Sequence, residues 1–390
     1  MSSVNFLEKL LGGVSVEWVA LEKVVKTITA PSKLKSQSYC TTGKLPIIDQ
    51  GIEFIAGYTD EDIVPVAKGE YIVFGDHSEH IKYVNFSFIQ GADGIKILRI
   101  LNNNSKYIYY AFLNFYKKEL SYKRHWSTAQ QTLIPIPCPD NPKKSLEIQA
   151  EIVRILDAMT AHTAELTAEL TARKKQYNYY RDKLLSFEDI EMGWKTLGDI
   201  GDVKMCKRIL KNQTQSEGDV PFYKIGTFGK KADAFISNEI YEDYKSKYPF
   251  PNKGDILISA SGTIGRTVVY DGSSAYFQDS NIVWLSNDEK IVSNKYLWHF
   301  YKIAKWSVSE GGTIDRLYND NIRKTKIPVP FPSDPDKSLA EQARVVSILD
   351  KLDKLTTSIT EGLPSEIELR QKQYAYYRDL LLSFPQAQAA

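Results

Sequence analysis

Side chains suited to catalysis are sparse in this sequence, and they do not cluster. The five histidines are His77, His80, His125, His162 and His299, and only the first two are neighbours, in a polar stretch that reads as an exposed loop. Cys40, Cys138 and Cys206 stand far apart, with no CxxC or Cys/His ligand spacing. That pattern argues against a zinc site or a disulfide framework and predicts a reducing cytoplasm. GTIG, from Gly262 to Gly265, follows a predicted strand as a nucleotide-binding loop does, but the third glycine and the acidic partner of a dinucleotide fingerprint are missing. Neither G-x-x-x-x-G-K-[ST], H-E-x-x-H nor G-x-S-x-G occurs. An enzyme that methylates an amine needs a tetrapeptide such as N-P-P-[FY] to hold it, and the nearest string is DNPK at Asp140. The expectation is a chain that performs no catalysis and carries neither metal nor cofactor.

What the sequence does supply is cations, amides and hydroxyls on glycine-rich or polar loops, the groups that hold phosphates and read base edges. In the first half these are Lys33 and Lys35 in APSKLKSQS, His77 and Ser78 in GDHSEHIK, and Lys123, Arg124, Gln130 and Gln131 in SYKRHWSTAQQT. In the second half they are Lys207 and Arg208 in KMCKRILKNQ and Ser259, Ser261, Thr263 and Arg266 in SASGTIGR. SEGGTIDRLYNDNIRKTK adds Thr313, Arg316 and Asn319. Any one of these by itself reads more readily as an ordinary solvated loop than as a contact; what distinguishes the set is its recurrence at corresponding places.

The elements that carry the loops are duplicated. IPIPCPDNPKKSLEIQAEIVRILD, from Ile134, returns as IPVPFPSDPDKSLAEQARVVSILD, from Ile327, and RKKQYNYYRDKLLSF, from Arg173, returns as RQKQYAYYRDLLLSF, from Arg370. Proline forbids helix at the start of each copy. Ser145 and Ser338 are then predicted N-caps, and Ser338 with Glu341 has capping-box spacing. Apolar residues follow in steps of three and four, the seam of a coiled coil. Between the halves of the repeat, the first copy has the tandem TAELTAEL (Thr163 to Leu170). The second has EGLPSE, where Pro364 is predicted to kink or break the helix. A four-residue unit adds about one helical turn.

The intervening segments correspond more loosely, each with short alternating strands and an aromatic amphipathic helix, YIYYAFLNFYK or YLWHFYK. The predicted fold class is α+β. It comprises two similar mixed α/β recognition domains separated by two long antiparallel coiled-coil helices, in a pseudo-twofold circular arrangement. The predicted boundaries are 1–17 for an N-terminal segment completing the distal repeat, 18–133 and 190–326 for the two domains, and 134–189 and 327–390 for the helical repeats. Two related modules at a set separation suit a ligand with two separated sites, and duplex DNA is the commonest such ligand.

The formal net charge of the 390 residues is only +2, so a DNA surface must come from local patches. With 43% hydrophobic residues and 24 tyrosines, the chain has the composition of folded modules. The first residues lack a cationic leader followed by a long apolar run, and no apolar stretch approaches ~20 residues, so neither a signal peptide nor a membrane span is predicted.

With its duplicated helices, its IPIP entries, the TAEL tandem, GDILISASGTIG and the S-x-GGT-x-x-x-L string, the sequence resembles the specificity subunit of type I restriction-modification systems over essentially its whole length. The first module departs from the last two strings, having GEYIVFGDHS and HWSTAQQT instead. The resemblance implies that each module is a target-recognition domain reading one half of a split double-stranded DNA target, with the helices acting as a ruler. It implies two methyltransferase partner subunits and, in the full complex, restriction subunits, with S-adenosylmethionine, ATP and Mg bound by those partners. Tyr177, Tyr180, Arg181, Tyr374, Tyr377 and Arg378, on the repeated helix end, are then the expected partner-binding residues, though the tyrosines also suit packing between helices. A rival reading is a coiled-coil interaction scaffold that binds proteins and not DNA.

Overall fold

The computed structural model describes residues 13–186, 190–307 and 315–384. The first module runs β1 (Val16–Ala20), α1 (Leu21–Val24), β2 (Val25–Ile28), β3 (Leu45–Ile48), β4 (Gly57–Thr59), β5 (Tyr71–Gly75), β6 (Ile81–Val84), β7 (Ile89–Gln90), β8 (Ile95–Ile100), α2 (Ser105–Phe115), α3 (Trp126–Ala129) and β9 (Leu133–Pro137). A long helix, α4 (Pro142–Ser186), follows. The second module runs β10 (Met192–Thr196), α5 (Leu197–Ile200), β11 (Gly201–Lys204), β12 (Val220–Tyr223), β13 (Phe235–Ile236), α6 (Asn238–Lys247), β14 (Ile256–Ser259), β15 (Thr267–Val269), β16 (Tyr276–Phe277), β17 (Ile282–Asn287), α7 (Asn294–Tyr301), α8 (Asn319–Lys324) and β18 (Lys326–Pro330). The chain ends in α9 (Pro335–Thr357) and α10 (Leu363–Leu381).

The loose correspondence of the two variable segments becomes strict in their hydrogen-bond ladders. Among the described residues, each module contains one two-stranded, one four-stranded and one three-stranded sheet. The order β2-β8-β5-β6 in the first matches β11-β17-β14-β15 in the second, and β4-β3-β7 matches β13-β12-β16. Each three-stranded sheet holds one parallel pair, β3 with β7 and β12 with β16. The proline-rich entries are strands. β9 pairs antiparallel with β1, setting Pro135 opposite Trp18, and β18 pairs with β10, setting Pro328 opposite Trp194. Two-stranded edges tolerate proline, whose missing N–H faces away from the partner.

Both repeats become helical at a proline. Pro142 and Pro335 have no N–H to leave unpaired in the first turn, and their fixed φ suits the helix. The residue ahead supplies the cap: the Lys144 amide donates to the Asn141 carboxamide oxygen, and the Lys337 amide to Asp334, both at 3.1 Å. The predicted caps at Ser145 and Ser338 are therefore corrected by one turn, because proline with Asn or Asp before it starts the helix sooner. Both serines are buried inside the first turn, where their hydroxyls accept from the Gln149 and Gln342 side-chain amides at 3.0 and 3.2 Å. The first repeat is one unbroken helix of 45 residues; the second is broken between α9 and α10. Gly362 lies there at φ 137°, and Pro364 falls in the first turn of α10.

The chain divides into two compact units, Met1–Thr167 with Glu366–Ala390, and Ala168–Ser365. In the first unit the end of α10 enters the core built by α2, β9 and the opening half of α4: Leu381, Leu382 and Phe384 pack with Tyr107, Ile148, Ile152 and Leu156. In the second, Tyr177 and Leu185 of α4 pack with Val345 and Leu349 of α9 and with Leu297 and Phe300 of α7. Each unit ties its module to its helices through the same polar device. Tyr107 and Tyr296 donate to the Pro135 and Pro328 carbonyls at 2.6 and 2.8 Å. The Asn104 amide donates to Gln149 at 2.8 Å, and the Ser293 amide to Gln342 at 3.0 Å.

Candidate nucleic-acid interface

In the first module the loops that follow β3, β5 and α2 are held by two buried charges. Lys82, on β6, is only 6% exposed, and its ammonium donates to the Asp49 and Glu53 carbonyls at 2.8 and 2.6 Å, with the Asp49 carboxylate at 3.8 Å. Burial pulls its pKa down, opposed by Asp49 and Glu53. The arrangement clamps a loop whose tip exposes Ile52 and Phe54. Glu79 is the second buried charge, in the β5–β6 turn with φ 55°, a conformation that costs a side chain ~1–3 kcal/mol unless its surroundings hold it there. Its carboxylate accepts from the Tyr116 hydroxyl at 2.6 Å and from the Glu119 and Leu120 amides at 2.8 Å each. Burial alone raises its pKa, but those donors and His125 overcome it, and the carboxyl is held below its ordinary value.

The same turn grips the loop Lys117–Arg124 at further points. The His125 amide donates to the Asp76 carbonyl and the Trp126 amide to the Asp76 carboxylate, both at 2.8 Å. His77 donates through Nδ1 to the Lys123 carbonyl at 3.1 Å, and its ring stacks on Tyr122 with centroids 5.7 Å apart. The Ser78 hydroxyl donates to the Gln50 carbonyl, and Gln50 in turn reaches the Asp93 carbonyl at 3.3 Å. The predicted residues His77, Ser78, Lys123 and Arg124 are thus brought together on one loop cluster. Lys33 is exposed and paired with exposed Asp93 at 2.6 Å, holding that carboxyl below its usual range; Lys35 is exposed nearby in sequence. Gln130 and Gln131 stand between α3 and β9, where the Gln130 carbonyl accepts from the Glu22 amide at 3.0 Å.

In the second module, SASGTIGR closes on itself. Ser259 is fully buried; its hydroxyl donates to the Thr263 carbonyl and accepts from the Arg266 amide at 2.9 Å. Arg266 turns back under the loop, donating to the Phe228 carbonyl at 3.0 Å with its guanidinium over the Phe228 ring. Both were expected at the DNA surface; the structure places them in the loop's scaffolding, because a tight glycine turn needs internal donors and acceptors. Thr263 is exposed at the tip. Ser261 donates to Asn281 at 2.8 Å and is bridged to Arg316, which donates to the Ser280 carbonyl at 3.0 Å. Arg316 and Asn319 line a depression of about 410 Å³ with Met205, Ser280 and Tyr318. Arg208 joins this side through Asp279 at 2.9 Å, and Lys207 lies over the Tyr248 ring at 4.9 Å. Thr313 lies outside the described residues.

On the helices, Tyr177 is buried, its hydroxyl accepting from Lys302 at 3.2 Å, and burial with nearby Asp353 pushes its pKa up to about 12. Tyr374 lies half-buried beside Asp157 in the first unit. These two tyrosines therefore face their own unit's core. Tyr180, Tyr377, Arg181 and Arg378 are partly exposed, the arginines paired with Asp182 and Asp379. The most exposed positions are ones that sequence reasoning missed, Tyr179 and Tyr376, 61% and 62% exposed at equivalent places. It also missed Glu79, Lys82 and Tyr122; an aromatic set among four cations in KKELSYKR is the signal that marks the last.

A family model described as the type I restriction modification DNA specificity domain matches residues 14–174 and again 190–369. A Haemophilus influenzae protein named as a type I restriction enzyme specificity subunit, S.HindORF215P, is 50% identical, the alignment covering 97% of this chain and 98% of that one. The EcoR124I/EcoR124II specificity subunit of Escherichia coli is 40% identical over 99% of this chain and 98% of its own. In fold, the chain is similar to the crystal structure of a type I restriction-modification S subunit from M. genitalium, with a TM-score of 0.58 at 16% identity, covering 96% of this chain and 98% of that one.

Proposed function

The chain belongs to the type I restriction-modification DNA specificity family, and from that premise we propose that its two modules each read one half of a bipartite duplex target. The observation that carries this reading is the paired architecture: the same three sheets in each module, with cations, amides and hydroxyls on loops at corresponding strand ends. Lys123 and Arg124 in the first module, and Lys207, Arg208, Arg316 and Asn319 in the second, contact phosphates or base edges; Thr263 and Ser261 sit close enough to the latter set to share the surface.

In this reading the chain is a recognition component and carries no catalysis. Two methyltransferase subunits dock on it, one for each copy of the repeated helix end, with Tyr179, Tyr180 and Arg181 and their equivalents Tyr376, Tyr377 and Arg378 as the contact residues. Those subunits bind S-adenosylmethionine, and restriction subunits supply ATP- and Mg-dependent cleavage. Helix α4 and the α9–α10 repeat act as spacers.

Single-molecule methylome sequencing of a host expressing the complex tests the proposal. The expected result is one methylated motif of two defined halves around an unspecified gap. An undivided motif, or no methylation that depends on this chain, overturns it. A methyl-transfer assay on the chain alone is expected to give none, and measurable transfer overturns the non-catalytic assignment.

A further inference from the structure

The loop Lys117–Arg124 carries four cations and one acid, and at its centre Tyr122 is 95% exposed. Aromatic rings of this size are rarely left in water on a loop that has been made rigid, because both the exposure and the ordering cost free energy. This loop is rigid by construction. Glu79 takes two of its backbone amides and the Tyr116 hydroxyl, His77 takes the Lys123 carbonyl, and Asp76 takes the amides at its end. His125, fully buried, donates from Nε2 to the Ser121 carbonyl at 2.7 Å while its Nδ1 stands 3.6 Å from Glu79. Leu120, at φ 55° and 85% exposed, is held in a left-handed turn at the point where Glu79 binds its amide. A flexible loop needs none of this; the turn Asp76–His80 presents one aromatic ring in one orientation, resting against His77.

We propose that Tyr122 stacks on a base of the half-site read by the first module, with Glu79 as the positioning residue that holds its loop. The proposal rests on the DNA-reading function above and adds to it a specific contact. Lys117, Lys118, Lys123 and Arg124 flank the ring and supply the phosphate attraction, with exposed Lys123 also paired with Glu119 on the loop itself. The ring acts as a stacking platform or wedge, and the cost of opening a base step is offset by base–aromatic contact.

The test uses the full chain assembled with its methyltransferase partners and duplexes carrying 2-aminopurine at successive positions of the target. Away from the bases that the methyltransferases themselves extrude, fluorescence is expected to rise at one step in the first half-site and at none in the second. Tyr122→Ala removes that rise and weakens specific binding by about 5- to 150-fold, whereas Tyr122→Phe keeps both. Because the side chain is exposed, these variants fold. Glu79→Gln keeps the ring but frees the loop, so the fluorescence rise shrinks while binding to the second half-site, measured on a duplex altered in the first, is unchanged. Affinity within twofold and an unaltered signal for Tyr122→Ala overturn this inference alone. Absence of sequence-specific binding by the unaltered complex overturns it together with the DNA-reading function.

Discussion

At the scale of single residues, the two units show one joint built in two chemistries. Asp157 accepts from Lys106 at 2.6 Å and from the Tyr110 hydroxyl at 2.7 Å; Asp350, its counterpart, accepts from Lys295 at 3.1 Å and from His299 Nε2 at 2.8 Å. Tyr110 and His299 occupy equivalent positions on α2 and α7, yet only an imidazole has an ordinary pKa close to neutrality. Burial pulls the His299 pKa below its ordinary value; Lys302 acts in the same direction, while Asp350 and Asp353 act against it. The unfolded chain therefore binds a proton more readily than the folded one, and stability falls as pH drops through about 6.5. Asp350, held below its own ordinary value despite burial, chiefly by His299 and Lys295, loses its contribution only at more acid pH, so the window near 6 belongs to the histidine. His299→Tyr, which copies the first module, is expected to flatten the dependence of melting temperature on pH between 7.5 and 5. Thermal melts across that range check it, and an unchanged slope counts against the assignment.

At the scale of elements, the two repeats share their starts and their aromatic ends but not their middles. TAELTAEL keeps α4 continuous: Ala, Leu and Glu are strong helix formers, and the Thr163 and Thr167 hydroxyls donate back to the Met159 and Thr163 carbonyls at 3.0 and 2.8 Å, so even the β-branched residues are satisfied within the helix. In the second copy, Gly362 adopts a backbone that side chains avoid, and a Cβ there would stand 2.8 Å from the Lys354 carbonyl oxygen. Only glycine closes that connection. If α4 is the spacer, deleting one TAEL unit shortens it by ~6 Å at ~1.5 Å per residue. The unspecified gap between half-sites is then expected to shrink by one or two base pairs at ~3.4 Å rise. Methylome sequencing of the variant reads the gap directly, and an unchanged gap removes the ruler.

At the scale of the whole chain, the first unit is completed by residues from the far end of the sequence. Leu381 and Leu382 are each 1% exposed in the core that also holds Tyr107 and Ile152. Leu381→Ala is expected to cost about 2–5 kcal/mol through reduced burial and the cavity left behind. Hydrogen exchange should rise in residues of the first module and stay unchanged in the second; equal effects on both would contradict the division into units. Charge also acts at this scale. With a net charge of only +2, no global field draws the chain to DNA, and attraction must come from patches. Lys123→Gln with Arg124→Gln is expected to lower the salt dependence of DNA binding by about two in log–log slope, about one for each phosphate that the variant no longer neutralises. Titration of the assembled complex between 50 and 200 mM salt (roughly the range over which such slopes are read) provides the measurement.

The duplication, the helical repeats, the absence of familiar catalytic motifs and the family were legible in residues alone, because helix periodicity, proline placement and near-identical strings are local in the chain. The correspondence of the two modules was faint there, since their strands match in pairing order and scarcely in side chains; only hydrogen bonds between distant strands define it. Tertiary structure likewise decided which polar residues reach the surface. Ser259 and Arg266 looked available in SASGTIGR and are turned inward by the turn they close, whereas Tyr122 looked incidental and is held outward by Glu79, 43 positions earlier. A residue's type is written in the sequence, but its exposure depends on which distant groups satisfy its backbone and its charge, and that is known only once the chain has folded back on itself.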